Sequence, residues 1–261
     1  MIALAALFAC FAWWFSIGAL RLIVRRADRA GGAAHLRAGL LAIPLAALAV
    51  AGLLWSDRLA PVPGAFAGFT AALLLWGAVE LTFLTGLVMG PNRTPCPAGA
   101  GAAERLSAAW GAVCWHELLL AAGLLLVVVM THGDLGHVAT GTYLVLFLAR
   151  IGAKLNLFFG VPRINIEFVP RPLAHLAGYF RQGPVTAAFP LAVSFLTLTT
   201  GCFLFQIAQA ESSGAQAGFA LLAALSALAL LEHWLMVLPL PDAALWRWML
   251  PKPVSETTEG P

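Results

Sequence analysis

The chain has 261 residues, of which 61% are hydrophobic and 10% charged, with a formal net charge of +3. A water-soluble domain carries about 25% charged residues. So small a supply cannot solvate an aqueous surface, which excludes a soluble enzyme, a nucleic-acid-binding protein and a disordered chain. The composition predicts an all-α protein, a polytopic transmembrane helical bundle in contact with the lipid bilayer.

A hydrocarbon core about 30 Å thick takes about 20 apolar residues in helix. Seven stretches meet that requirement, roughly 2–24, 38–55, 65–89, 109–131, 138–159, 185–208 and 217–239. They make residues 1–250 one transmembrane domain. The first reads as a span and not as a cleavable leader, because its arginines follow the apolar run and none precedes it. Pro44, one turn inside the second and shortest span, is placed to kink it.

The loops orient the bundle. Arg21, Arg25, Arg26, Arg29 and Arg37 gather at the end of the first span, and Arg93 and Arg105 follow the third. Arg150, Lys154, Arg163, Arg171 and Arg181 lie on the fifth span and behind it, with Arg247 and Lys252 near the C-terminus. The opposite loops, 56–64, 132–137 and 209–216, hold Arg58 alone. Fourteen of the fifteen basic residues on one side predict a periplasmic N-terminus and a cytoplasmic C-terminus.

Between the fifth and sixth spans, residues 160–184 read as an extended stretch stopped by prolines and then a short amphipathic helix. Leu173, Leu176, Ala177 and Phe180 recur there at helical spacing. With Phe168 they form a candidate partner-docking surface, although the same face could pack on the bundle. Residues 241–250 read as an interfacial helix with Trp246 and Trp248 at headgroup depth, followed by a disordered tail at 251–261. Trp55, Trp110 and Trp115 also fall near expected interfaces. Cys10, Cys114 and Cys202 lie in apolar runs and Cys96 stands alone in a loop, so neither a disulfide framework nor a zinc site is indicated.

Ionisable residues inside spans are costly and mark function by default. At 1.5 Å per residue, Glu80 on span three, His116 and Glu117 on span four, and Arg150 on span five lie roughly 12–13 Å from the cytoplasmic helix ends. Lys154 on span five, and Glu232 with His233 on span seven, lie roughly 7–9 Å in. Asn156 is a further polar member of this layer. Three readings stay open. Arg150 and Lys154 can neutralise two of the three glutamates, with the third protonated or bonded to a histidine. His116 or His233 can coordinate a metal or the magnesium of a tetrapyrrole. The same groups can form a proton or ion pathway.

His132 and His137 flank a short loop and read as solvated; His35 and His175 have no visible partner. No phosphate-binding glycine loop, nucleophile elbow or zincin motif is present, and the place a zincin would give its second histidine is Leu120. The chain is therefore expected not to be an enzyme.

Several segments carry a resemblance. They are Trp13-Trp-Phe-Ser-x-Gly18, Glu80-Leu-Thr-Phe-Leu-Thr-Gly86 with Gly90-Pro-Asn-Arg93, and His116-Glu-Leu118. Lys154-Leu-Asn-Leu-Phe-Phe-Gly-Val161 and Leu238-Pro-Leu-Pro-Asp-Ala-Ala-Leu-Trp-Arg-Trp248 follow. Together the chain resembles the PuhE family of photosynthetic complex assembly proteins of purple phototrophic bacteria. Where that family has a His-Glu pair in span three, this chain has Val79 before Glu80. The resemblance implies an inner-membrane factor for assembly of reaction-centre and light-harvesting complexes and for control of bacteriochlorophyll supply. Reaction-centre, light-harvesting or pigment-synthesis proteins would be its partners, and bacteriochlorophyll or a precursor a conceivable ligand. The competing expectation is a small transporter or carrier of a tetrapyrrole, lipid or ion, though no inverted repeat is evident.

Overall fold

Lipid tails are as apolar as leucine, so helices in a bilayer associate through close van der Waals packing and small interfacial residues. In a computed structural model describing residues 1–132 and 137–240, that rule selects the central helices. The elements are α1 (Ile2–Ala30), α2 (Ala34–Leu40), α3 (Ala42–Ser56), α4 (Pro61–Leu84), α5 (Ala102–Met130), α6 (Val138–Phe159), α7 (Ala188–Gln209) and α8 (Ser213–Leu235). Counting α2 and α3 together, seven are long and apolar enough to cross a membrane. No strand forms among the described residues. The protein is a multi-pass helical membrane protein.

α4 is the hub, packing against α1, α3, α5, α6 and α8. Its Ala65, Gly68, Ala71, Ala72, Gly77 and Ala78 keep neighbouring backbones close, as do Ala217, Gly218 and Ala220 on α8. α1 and α7 lie outside and turn large side chains outward, among them Phe11, Trp14, Phe15, Leu191, Leu198 and Phe205. Such faces suit hydrocarbon and not water.

The second span is interrupted where its proline requires it. α2 stops at Leu40 and α3 restarts at Ala42, which places Pro44 in a first turn, where its missing N–H costs nothing. Helix ends differ from the hydropathy reading by up to several residues, and α1 runs on to Ala30, six residues past the expected boundary. α4 ends at Leu84, five residues before the expected boundary, because Gly86 takes a left-handed turn with φ 77°. A Cβ at Gly86 would lie 2.6 Å from Pro172. α5 begins at Ala102, seven residues early, because Ala-Ala-Glu-Arg-Leu continues the helix although it is too polar to count as span.

Two loop contacts lock the arginine-rich end. Asp28, 5% exposed on α1, receives His35 Nε2 at 2.9 Å and the Arg171 backbone N–H at 3.2 Å, with Arg25 beside it. His35 therefore has a partner, contrary to the sequence reading. Replacing Asp28 with alanine should lower stability by about 1–3 kcal/mol, the cost of stranding buried donors. A detergent-solubilised Asp28→Ala protein that melts with the wild type would disprove that coupling.

Arg105 on α5 supplies the second lock. It donates to Phe158 O and Tyr179 O and lies 4.0 Å from the Phe158 ring centroid.

The candidate docking surface at 160–184 turns inward. Its second half is a 3₁₀ helix, Arg171–Tyr179, whose buried residues Leu173, Leu176 and Tyr179 recur every three residues as that helix dictates. They pack with Phe83, Met89 and Ala112 in a second core, and Phe180 lies against it. Phe168 lies under Arg21, 5.3 Å from guanidinium to ring centroid. Leu173 and Leu176 are thus closed against the bundle, while Phe168 and Phe180 are half-buried. On the same helix, burial and the nearby Arg93 hold the His175 pKa below its ordinary value. The expected interfacial helix 241–250 with Trp246 and Trp248, and the tail 251–261, lie outside the described residues.

At the opposite end His137 is engaged as well. Its Nδ1 accepts from Ala139 N–H as the N-cap of α6, and Nε2 lies 2.8 Å from Asp57 Oδ1.

Candidate functional site: an intramembrane ion cluster

The polar residues of α4, α5 and α6 converge. Arg150 Nη2 donates to Glu80 Oε2 at 2.9 Å, tying α6 to α4. Lys154, one turn further on the same face of α6, pairs with Glu117 of α5. Phe83 joins the two pairs. Its ring stacks on His116 with centroids 4.0 Å apart, and Lys154 Nζ lies 5.7 Å from its centroid. His116 is fully buried, with Nε2 3.7 Å from Glu80 Oε1, outside hydrogen-bonding distance.

A loop holds His116 in place. Residues 86–101 fold back along α5, where the His116 N–H donates to Met89 O and Asn92 N–H donates to Gly111 O. Asn92 Nδ2 donates to Ala108 O and to Tyr179 OH, while its Oδ1 accepts from Thr94. The close approach needs Gly90, since a Cβ there would lie 2.1 Å from Gly111 O. The Gly90-Pro-Asn motif is thus the backbone clamp on the turn that carries His116 and Glu117.

In charge this cluster balances, while Glu80 Oε1, Arg150 Nε and both His116 ring nitrogens have no hydrogen-bond partner among the described residues. Two carboxylates face two cations, and a buried charge is tolerated when an opposite charge and hydrogen bonds compensate it. Among the described residues no group of three His, Cys, Asp or Glu side chains is placed to share a metal ion. The geometry therefore favours the ion-pair reading for Glu80, Glu117, Arg150 and Lys154.

The other sequence candidates are elsewhere. Glu232 faces α1, where Trp13 Nε1 donates to its Oε1 at 2.8 Å. The third glutamate thus bonds to a tryptophan, not to a histidine. His233, next to it and about 100° round the helix, faces α6 and α7 instead. Asn156 is fully buried, with neither amide atom hydrogen-bonded among the described residues. Asp28, Asn92, Arg105 and Tyr179 were not among the sequence's site candidates, because partners such as Arg171 N–H, Ala108 O, Phe158 O and Thr94 O lie on other elements that only the fold brings to them.

Comparison with known proteins places the chain. No solved structure matches it. It is 47% identical over 248 residues to a Rhodobacter capsulatus protein described as an uncharacterized 30.4 kDa protein in the puhA 5′ region, covering 95% of this chain and 90% of that one. The family model DUF3623, described as a protein of unknown function, matches residues 1–257. The chain belongs to the DUF3623 family.

Proposed function

We propose that this protein is a PuhE-type assembly and regulatory factor of the bacterial photosynthetic membrane. It acts in the assembly of reaction-centre and light-harvesting complexes and modulates bacteriochlorophyll supply. The observation that carries this reading is the near full-length similarity to a relative encoded 5′ of puhA, in the photosynthesis gene region. The ion cluster, in which Glu80 pairs with Arg150 and Glu117 with Lys154, is compatible with a non-enzymatic role. The apolar outer faces of α1 and α7 are available to partner helices within the bilayer. The arginine-rich end lies in the cytoplasm and the N-terminus in the periplasm, as the basic-residue bias requires.

Deletion of the gene in a phototrophic host is the test. Membranes of the deletion strain should differ from wild type in bacteriochlorophyll content and in the ratio of reaction-centre to light-harvesting absorption, and a plasmid copy should restore both. A deletion strain matching wild type in both measures would overturn the proposal.

A further inference from the structure

Glu232 is an ionisable residue exposed within a membrane span. Such residues nearly always face the bundle interior or a water-filled cavity instead. Although α1 crowds it on one side, where Trp13 Nε1 donates to its Oε1 at 2.8 Å, the residue stays open on the other. Trp13 fixes the depth. It lies eleven residues, about 16 Å, from the start of α1 and eight residues, about 12 Å, before Arg21. A hydrocarbon core is about 30 Å thick, so the indole and the carboxyl group that meets it lie well inside. Leu231 beside Glu232 is exposed, and Leu228 and Leu235, one turn to either side, are half-buried.

A carboxylate offers about four lone-pair sites, and Trp13 uses one. Of the two cations near enough to act on Glu232, Arg150 donates to Glu80 and Arg21 has its guanidinium over the Phe168 ring. An ionised carboxylate facing hydrocarbon is strongly unfavourable, and an opposite charge with further donors is what offsets it. Charge complementarity therefore selects the occupant of this face. A second copy has no cation to give, because the basic residues deep in its spans, Arg150 and Lys154, are already paired with Glu80 and Glu117. A lipid amine sits in the headgroup region, outside the hydrocarbon core. A helix crossing the same bilayer with arginine or lysine at this level supplies the donors, and the leucines around Glu232 give it a surface to pack on.

We propose that the exposed α1–α8 face docks a transmembrane helix of another protein, whose basic side chain pairs with Glu232 inside the bilayer. Such a surface would serve the assembly role, but its residues point to it whether or not that role holds. The peptide titration and the gene deletion therefore fail separately.

The test uses the full-length protein in phosphatidylcholine vesicles with two dansyl-labelled, leucine-rich transmembrane peptides. One carries a single arginine at the level of the Trp13 indole and the other is leucine throughout; energy transfer from the protein's tryptophans reads their association. The arginine peptide should associate about tenfold more tightly than its counterpart. Glu232→Gln keeps an oxygen for Trp13 and removes the charge, and it should bring the two peptides to parity. Leu235→Lys places a cation of the chain itself at i+3 from Glu232, where side chains meet. It should abolish the preference with the carboxylate still present, and it decides the matter if Glu232→Gln fails to fold. Equal association of the two peptides with the wild type, or a preference that survives in the folded variants, would overturn the proposal. So would loss of the preference on adding phosphatidylethanolamine, which would assign the carboxylate to a lipid amine.

Discussion

Replacing Arg150 with methionine is expected to destabilise the protein more than replacing Arg150 and Glu80 together. Glu80 is 7% exposed and Arg150 is its hydrogen-bonded cation. Removing one member of such a pair strands a buried charge and costs about 3–5 kcal/mol, whereas neutralising both is often tolerated. The Glu80→Gln/Arg150→Met protein should therefore recover most of what Arg150→Met loses. Thermal unfolding in one detergent, run on wild type, both single variants and the double variant, measures the coupling. Additive losses would show that the pair does not hold α4 to α6. The same cycle on Glu117 and Lys154 examines the link from α5 to α6.

Gly90→Ala should be comparably severe for a steric reason. The added Cβ would fall 2.1 Å from Gly111 O and 2.7 Å from Ala112 C, both backbone atoms of α5 that no side-chain rotation can move. Relieving that clash means separating the 86–101 loop from α5, which breaks the Met89–His116 and Asn92–Gly111 backbone bonds. The expected loss is about 3 kcal/mol or more, at the upper end for overpacking. Gly101→Ala provides the contrast, since nothing lies within 4 Å of that position. It should change stability by less than about 0.5 kcal/mol. Equal melting temperatures for the two variants would refute the clamp.

Hydropathy made the seven spans legible because a bilayer imposes a length and an apolar composition on each crossing helix. It could not locate helix ends, because polar residues such as Glu104 and Arg105 continue α5 beyond the hydrocarbon. Depth counted from those ends was correspondingly wrong. Glu80 lies one turn from the end of α4, whereas His116 lies about four turns from the start of α5. The two still meet because the Gly86 turn and the 86–101 loop stagger the helices.

The ion pairs were partly legible from charge alone, since two cations and three carboxylates in one membrane must arrange themselves. Which glutamate paired with which cation depended on helix neighbours, and so did the choice of Trp13 by Glu232. At residues 171–179, spacings of three and four were read as one α-helical face. The backbone adopts the three-residue repeat of a 3₁₀ helix instead, which brings in Tyr179 and turns Leu173 and Leu176 toward the bundle. Asp28 was hidden among arginines, where a carboxylate reads as solvated. Only the fold brings His35 and the Arg171 amide to it.

The central claim is that this membrane protein works alongside the photosynthetic complexes. Its most direct test is the component list of the tagged full-length protein, purified from gently solubilised phototrophic membranes and compared with an untagged control. Reaction-centre, light-harvesting or pigment-synthesis proteins enriched in the tagged sample are the predicted result. A protein recovered alone, or equally with unrelated membrane proteins, would contradict it.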